Sequence, residues 1–190
     1  MRRSCAVAMI LILSGCAGSA PELDAETVQL RLPGFTATAP AARGWILAPG
    51  TAEAQAAVRS MGDTRTLVAF ASEEDLRDLS GADTEGALDR AVQEVRTSYE
   101  GGRHRLRSFE EEEAGQGCRG YRVTAEDTGV PDLAGRLYVL TARGKVCLIA
   151  ARSLLARVEY SDRRVEDEPP LPSFEQEAEA FLDSLSVPGV

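Results

Sequence analysis

Alternation between apolar and polar residues predicts short strands in the first part of the chain. In TVQLRL, Val28, Leu30 and Leu32 lie on one face, and the segment stops at Pro33-Gly34, which indicates a strand followed by a turn. GFTATAP and GWILAPG are further extended pieces between proline and glycine residues, and the single tryptophan, Trp45, is expected to anchor the core or its rim. Ordered structure is therefore expected to begin near residue 27.

Two segments precede the first clear helix. The apolar run TRTLVAFAS, residues 64–72, predicts a buried strand. The alanine-rich run AEAQAAVRSM, residues 52–61, predicts a short helix on composition, although its alanines offer little for a neighbouring element to pack on.

Apolar residues that recur every three or four positions predict two amphipathic helices. The first follows Asp83 as N-cap and ends at Gly101-Gly102. Its apolar face consists of Leu88, Ala91, Val92, Val95 and Tyr99. The second covers residues 173–187, where Ser173 and Gln176 have the spacing of a capping box. Its stripe consists of Phe174, Ala178, Phe181, Leu182 and Leu185, and this stripe must pack on a sheet.

Four strands are predicted between these helices. They cover residues 104–113, 118–126, 134–142 and 145–154, and RGK forms a tight turn between the last two. The polar run EYSDRRVEDEPPLP, residues 159–172, is then expected to be a long surface loop. The predicted fold class is α+β, an antiparallel sheet flanked by helices.

This order of elements resembles the Mog1/PsbP superfamily. The resemblance covers residues 30–187. It depends on the order of the elements, which is early strands with a Gly-Trp, a strand, a helix, a meander and a final helix of the form F-x3-A-x2-FL-x-SL. It implies an antiparallel sheet sandwiched by helices, in one domain over residues 27–190. Relatives in photosynthetic organisms are non-enzymatic assembly or stabilising factors of membrane complexes, and the yeast relative binds a small GTPase. The resemblance therefore implies a binding or assembly role and carries over no functional residue.

The N-terminus has the features of a bacterial lipoprotein signal. Arg2 and Arg3 precede nine uncharged residues, 5–13, which are too few to cross a bilayer as a helix. Leu13-Ser14-Gly15-Cys16 then resembles the lipobox, in which small residues flank the cut and the cysteine thiol receives the lipid. The alternative is an ordinary secretory signal cut near residues 18–20, with Cys16 discarded.

Lipidation of Cys16 would divide the chain into three parts. Residues 1–15 would be the signal peptide, residues 16–26 a lipidated flexible tether, and residues 27–190 the domain. Two or more acyl chains hold a protein on a membrane almost permanently. The expected location is the bacterial cell envelope, and Ala17 after the cysteine favours the outer membrane, facing the periplasm, where the host has one.

Charge limits the classes of partner. The chain has 21 basic and 30 acidic residues, a net charge of −9, and loss of Arg2 and Arg3 leaves 19 against 30, or −11. Such a chain repels phosphate backbones and anionic headgroups, so we expect no nucleic-acid binding and no electrostatic membrane docking. A protein partner of unknown identity and the membrane itself, through Cys16, are the expected partners.

No residue pattern indicates a catalytic, cofactor or metal site. His104 is the only histidine and is expected at the surface, and Asp127-Thr128-Gly129 spells an aspartic-protease triplet but fits a turn between strands. The acidic run 110–113 lacks the spacing of a calcium loop and predicts a solvated edge, with the run at a hairpin tip.

Cys118 and Cys147 would carry the two thiols left after processing and lipidation of Cys16. An oxidising compartment favours a disulfide worth about 3.5 kcal/mol for a loop of this length. The predicted meander places a strand between them, about 9.6 Å apart, beyond the roughly 7 Å that a disulfide spans. The strand order therefore favours two separate thiols.

Three function hypotheses stay open at this point. The leading one is a membrane-anchored, non-enzymatic binding or assembly module of the envelope. The others are a structural or secretion-machinery component and a carboxylate-dependent hydrolase. A deep pocket with converging polar groups would favour the hydrolase, whereas an exposed apolar patch would favour the binding module.

Overall fold

The structure is a computed structural model that describes residues 27–76, 84–115, 117–129 and 135–188. The strands in these ranges are β1 (Gln29–Arg31), β2 (Thr36–Thr38), β3 (Ile46–Ala48), β4 (Ala54–Met61), β5 (Arg65–Asp75), β6 (His104–Glu113), β7 (Cys118–Asp127), β8 (Tyr138–Ile149) and β9 (Leu154–Val165). The helices are α1 (Thr84–Glu100) and α2 (Phe174–Asp183).

Seven strands form one antiparallel sheet. Their spatial order is β3-β4-β5-β9-β8-β7-β6, so the last strand in the sequence lies at the centre. β1 and β2 form a separate antiparallel hairpin. The predicted α+β class, with an antiparallel sheet and flanking helices, is confirmed.

The two faces of the sheet are covered unequally. On one face, α2 and the β1–β2 hairpin close a core that extends from β4 to β9 and includes Phe35, Tyr160 and Phe181. On the other face, α1 packs on β6, β7 and β8, where Val92 and Val95 join a second core. On that face α1 makes no extensive contact with β3, β4 or β5 within the described residues, and it approaches β5 near Ser72–Glu74.

Several predicted elements are confirmed. β5 covers the strand expected over 64–72 except for its first residue, and α1 ends just before Gly101-Gly102. β6 matches the strand expected over 104–113, and β7 extends the one expected over 118–126 by one residue. The final helix is present, with Phe174, Ala178, Phe181 and Leu182 buried. Trp45 is buried in the core and donates an indole hydrogen bond to the carbonyl of Pro40 at 2.9 Å.

The capping box predicted for the final helix does not form. The Ser173 hydroxyl makes no cap hydrogen bond and instead donates to Oε1 of Glu177 at 2.7 Å. Residue 83, the predicted cap of the first helix, lies outside the described residues.

The predicted helix over 52–61 is wrong, because this segment is β4. β4 lies between β3 and β5, and Ala57 faces Ala69 across the β4–β5 pair. Ala57 is fully buried in the core where β1 of the hairpin contacts β4, and pairing on both sides of β4 outweighs the helix propensity of alanine.

The predicted turn at RGK is also wrong. β8 continues through Gly144, which pairs with Tyr121 on one side and Glu159 on the other. A Cβ on Gly144 would lie 2.2 Å from Cζ of Tyr121, so the glycine leaves room for the buried tyrosine ring. The chain reverses instead at residues Ala150–Arg152, a 3-10 turn that ends at Ser153 with φ 49°.

The predicted loop over 159–172 begins inside the central strand. β9 extends to Val165, and its polar residues Glu159, Ser161 and Asp162 are buried. Glu159 and Ser161 alternate along the strand with Val158, Tyr160 and Asp162, which lie on the α2 side. The loop starts only after β9.

Cys118 and Cys147 form a disulfide, contrary to the expectation of separate thiols. Since β8 is a single strand next to β7, the two cysteines face each other directly, with their Cα atoms 4.1 Å apart. The misplaced turn had inserted an extra strand between them. The bridge joins β7 to β8 across a sequence separation of 29 residues.

Candidate functional site

The uncovered half of the sheet presents an apolar surface, which we call the open face. Ile46 pairs with Val58, and Val58 pairs with Val68, so the three side chains point to the same side of the sheet. Phe70 lies two residues beyond Val68 and pairs with Glu159. Because Glu159 contacts Tyr99 of α1, the open face lies on the α1 side.

The open face is accessible. Ile46 is 72% exposed, the largest value among the exposed large apolar side chains of the described residues, and Val58, Val68 and Phe70 are half-buried. Neighbouring Leu47, which points to the opposite side of β3, is 52% exposed. Neighbouring exposed apolar side chains on one face of a sheet are typical of an interaction site.

A buried carboxylate, Glu159, lies where the open face meets α1. Oε1 of Glu159 accepts a hydrogen bond from the Tyr99 hydroxyl at 2.6 Å. Oε2 accepts one from the Tyr121 hydroxyl at 2.7 Å and one from Nη2 of Arg157 at 2.6 Å. Nε of Arg157 also donates to the Tyr121 hydroxyl at 2.9 Å, so the four side chains form one closed network.

The network keeps its members in fixed protonation states. Burial alone would raise the pKa of Glu159, but the Arg157 guanidinium and the two tyrosine hydroxyls together lower it below 4.5, the ordinary value for glutamate. Burial and the Glu159 charge raise the pKa of Tyr99 and Tyr121 well above 10.0, the ordinary value for tyrosine. At neutral pH Glu159 is therefore ionised and both phenols are protonated.

This arrangement disfavours acid–base chemistry at Glu159. A general base needs an accessible lone pair and a pKa near the working pH, whereas both oxygens of Glu159 are occupied and its pKa is low. The network instead fixes α1 to the centre of the sheet through Tyr99 and neutralises Arg157 at the border of the open face.

Arg157 connects the network to a cavity. Its guanidinium lies 5.4 Å from the ring centroid of Phe70 and 5.8 Å from that of Tyr121. The cavity has a volume of about 170 Å3 and lies between α1 and the strands β5 and β9. Its lining includes Ser72, Glu74, Ala91, Glu94, Val95 and Arg157.

The residues that sequence analysis had considered for catalysis are held by other groups. Asp127 is buried at the end of β7, where Arg103 binds both of its carboxylate oxygens and Arg163 binds one. Burial would raise the pKa of Asp127, but these arginines and the Gly129 amide lower it. Thr128 and Gly129 form the predicted turn.

His104 is half-buried rather than fully at the surface. Its ring lies 5.2 Å from that of Tyr99, and burial lowers its pKa. Its aromatic contact with Tyr99 accounts for its position at the start of β6.

The acidic run Glu110–Glu113 lies within β6, not at the hairpin tip as predicted. β6 is the last strand of the sheet, so the prediction of an acidic edge is confirmed. Glu112 forms ion pairs with Arg122 and Arg143 at 3.2 Å, which explains how an acidic residue is accommodated on the α2 side of the strand.

The described residues contain no cluster of three or more side chains suited to hold a metal ion. Among the same residues, none of the helices is both long and apolar enough to cross a bilayer. Cys16, the predicted lipidation site, and its tether lie outside the described part of the chain.

Sequence reasoning missed the residues that form this site. Arg157 and Glu159 fall at the predicted boundary of strand and loop, although alternation of Val158 and Tyr160 with polar neighbours is the strand signal that could have revealed them. Tyr99 was identified only as part of the apolar stripe of α1. No local pattern indicates that it binds a residue 60 positions away.

Comparison with known proteins gives matches among solved structures only. No known protein family and no curated protein matches the sequence. LpqN, involved in cell envelope biogenesis of Mycobacterium tuberculosis, is similar with a TM-score of 0.45 and 15% identity, over 85% of this chain and 90% of that chain. The Ran-binding protein Mog1p of Saccharomyces cerevisiae is similar with a TM-score of 0.44 and 11% identity, over 85% and 95%. A mutant of Mog1 gives a TM-score of 0.46, 11% identity and coverages of 85% and 96%.

Proposed function

We propose that this chain is a lipid-anchored protein of the bacterial cell envelope whose domain binds a protein partner without catalysing a reaction. The observation that carries the proposal is the sequence Leu13-Ser14-Gly15-Cys16, placed directly after nine uncharged residues. Acylation of Cys16 would hold the domain on the membrane, and residues 17–26 would give it reach.

The open face supports binding as the activity of the domain. Exposed apolar side chains on a sheet carry a free-energy cost in water that a partner would remove. The network around Glu159 supports the same view, because it holds α1 at a fixed position beside the open face and so fixes the shape that a partner would meet.

The state of the buried carboxylates argues against a hydrolase. A carboxylate pair that cleaves a glycoside needs one acid with a raised pKa and one accessible base in a common cleft. Glu159 and Asp127 both have lowered pKa values and are bound by arginines. Asp162 is a third buried carboxylate, and burial raises its pKa. It is fully enclosed, lies beside Arg65 and Arg164 and accepts a hydrogen bond from the Leu171 amide, so it cannot reach a substrate.

Metabolic labelling with a palmitate analogue tests the anchor. The wild-type protein is expected to incorporate the analogue and to sediment with membranes, whereas Cys16→Ser is expected to do neither. Cys5→Ser is the matched control, because Cys5 lies in the apolar run ahead of the predicted cut and its loss should leave labelling unchanged. Equal labelling of wild type and Cys16→Ser would refute the lipid anchor.

A further inference from the structure

We propose that the open face and the adjoining cavity form a docking groove for a basic, amphipathic segment of a partner protein. The docking groove consists of Ile46, Val58, Val68 and Phe70 as its apolar part, and Glu74, Glu94 and Arg157 as its polar end. This inference rests on the proposed function, since it names the surface and the partner chemistry of the same binding module.

The apolar part of the groove has the position and size of a segment-binding surface. Ile46, Val58 and Val68 lie side by side on three adjacent strands, and Phe70 continues the patch toward β9. From Val68 to Glu74 the strand advances six residues, or about 20 Å at 3.3 Å per residue. A partner segment of about six to eight extended residues is long enough to contact both ends.

Charge decides which chemistry fits the polar end. The positive charge of Arg157 is offset by Glu159, which it contacts at 2.6 Å. The side-chain carboxylates of Glu74 and Glu94 form neither a hydrogen bond nor an ion pair within the described residues. The lining therefore carries uncompensated negative charge, and a lysine or arginine side chain of the partner would form ion pairs there.

The same charges disfavour other occupants of the groove. A second copy of the chain would bring its own Glu74 and Glu94 toward the same region, and like charges in an interface cost free energy. An anionic membrane surface or an acidic peptide would meet the same repulsion, strengthened by the chain's net charge of −9.

A peptide-binding experiment tests the groove with defined probes. The probe is a fluorescein-labelled, amidated octapeptide of alternating leucine and lysine, and its anisotropy is measured with the lipidated full-length protein in nanodiscs of zwitterionic lipid. The comparison peptides alternate leucine with glutamate, or serine with lysine. We expect the leucine–lysine peptide to bind most tightly, since it alone supplies both apolar and basic side chains.

Two variants with matched controls locate the site. Glu74→Gln/Glu94→Gln removes two charges from the groove, and Glu110→Gln/Glu113→Gln removes two from exposed positions on β6 at the far edge of the sheet. Ile46→Ser shortens an apolar groove residue, and Leu137→Ser does so at a 37% exposed position elsewhere. Each groove variant is expected to weaken binding of the leucine–lysine peptide about fivefold or more, while both controls stay within about twofold of wild type.

Three results would overturn the proposal. The first is equal weakening by the groove variants and their controls, or no weakening by either groove variant. The second is efficient disulfide cross-linking of two copies through Ile46→Cys but not through Leu137→Cys, which would assign the open face to a second copy. The third is quenching of a dye on Ile46→Cys by spin-labelled lipid, which would assign the face to the bilayer.

Failure of the groove is distinguishable from failure of the proposed function. Loss of peptide binding leaves palmitate labelling at Cys16 untouched. Conversely, a protein that binds the peptide but is not labelled at Cys16 retains the groove and loses the membrane anchor.

Discussion

At the residue scale, the ion pair between Glu159 and Arg157 lies on the central strand β9, and hydrogen bonds connect it to α1 and β7. Glu159 is buried with three donors on its carboxylate, and one of these, the Tyr99 hydroxyl, comes from α1. Breaking a buried pair by removing one charge leaves the other uncompensated, which costs about 3–5 kcal/mol. The pair is therefore expected to be among the polar contacts most sensitive to substitution.

Replacing Glu159 with glutamine tests this expectation. The amide keeps the shape of the side chain but leaves Arg157 without its counter-charge, so we expect the free energy of unfolding to fall by about 3–5 kcal/mol. Denaturant titration at pH 7 measures the change. The control is Glu110→Gln, which makes the same chemical change at an exposed position on β6 and should alter stability by less than about 0.5 kcal/mol. Similar stabilities for the two variants would contradict the role assigned to the pair.

The same variant should change how stability depends on pH. Because the pKa of Glu159 is lower in the folded protein than its ordinary value of 4.5, its contribution is present above pH 4.5 and is lost as the pH falls through the folded value. Asp127, whose pKa is also lowered, acts in the same direction. Wild-type stability should therefore drop more steeply on acidification below pH 4.5 than that of Glu159→Gln. Parallel pH profiles would refute this linkage.

Single residues were predictable where burial alone decides their place. Trp45 and the stripe of the final helix are in the core as expected, because a large apolar residue at regular spacing has few alternatives. Glu159 was not predictable, because its burial depends on Tyr121, 38 residues away, and on Tyr99, 60 residues away. Without knowledge of these two distant partners, a glutamate within a polar run such as 159–172 indicates a surface loop.

At the element scale, two wrong boundaries have one physical cause. Gly144 was interpreted as a turn because glycine between charged residues usually marks one, yet here the missing side chain admits the Tyr121 ring. Placing a turn there ended β8 early and moved the next strand boundary, so β9 was interpreted as a loop. The wrong strand order and the expectation of separate thiols both followed from that boundary. The folded sheet shows the actual strand order and the disulfide.

The packing of Gly144 can be tested directly. Gly144→Ala would place a methyl group 2.2 Å from the Tyr121 ring, so we expect a loss of about 1–3 kcal/mol in the free energy of unfolding. Gly101→Ala is the matched control, since a Cβ there meets no atom within 4 Å. If thermal melts show the two variants equally stable, β8 does not pass beneath Tyr121 as described.

The disulfide between β7 and β8 gives a second test of the sheet. Non-reducing mass spectrometry of the protein from oxidising cells should find a peptide linked through Cys118 and Cys147. The double variant Cys118→Ser/Cys147→Ser should lose about 3.5 kcal/mol of stability, because the open chain has more conformational entropy when unfolded. Free thiols at both positions in the mature protein would contradict the direct pairing of these residues.

At the scale of the whole molecule, an acidic domain with an exposed apolar half-sheet is proposed to work while tethered to a membrane. Tethering confines the domain and any partner on the same membrane to a thin layer, which raises their local concentration. A weak interface over a small apolar groove would then be sufficient. The fold class could be predicted from the sequence because it needs only the number and type of elements, whereas the docking groove depends on which half of the sheet α1 leaves uncovered.

Dependence on the tether is the most direct test of this account. In a deletion strain, the lipidated full chain is compared with a form in which residues 1–20 are replaced by a cleavable signal that receives no lipid, at equal levels of folded protein. The account predicts that the lipidated chain corrects the phenotype of the deletion strain and that the soluble form does not. Full restoration by the soluble form would contradict it.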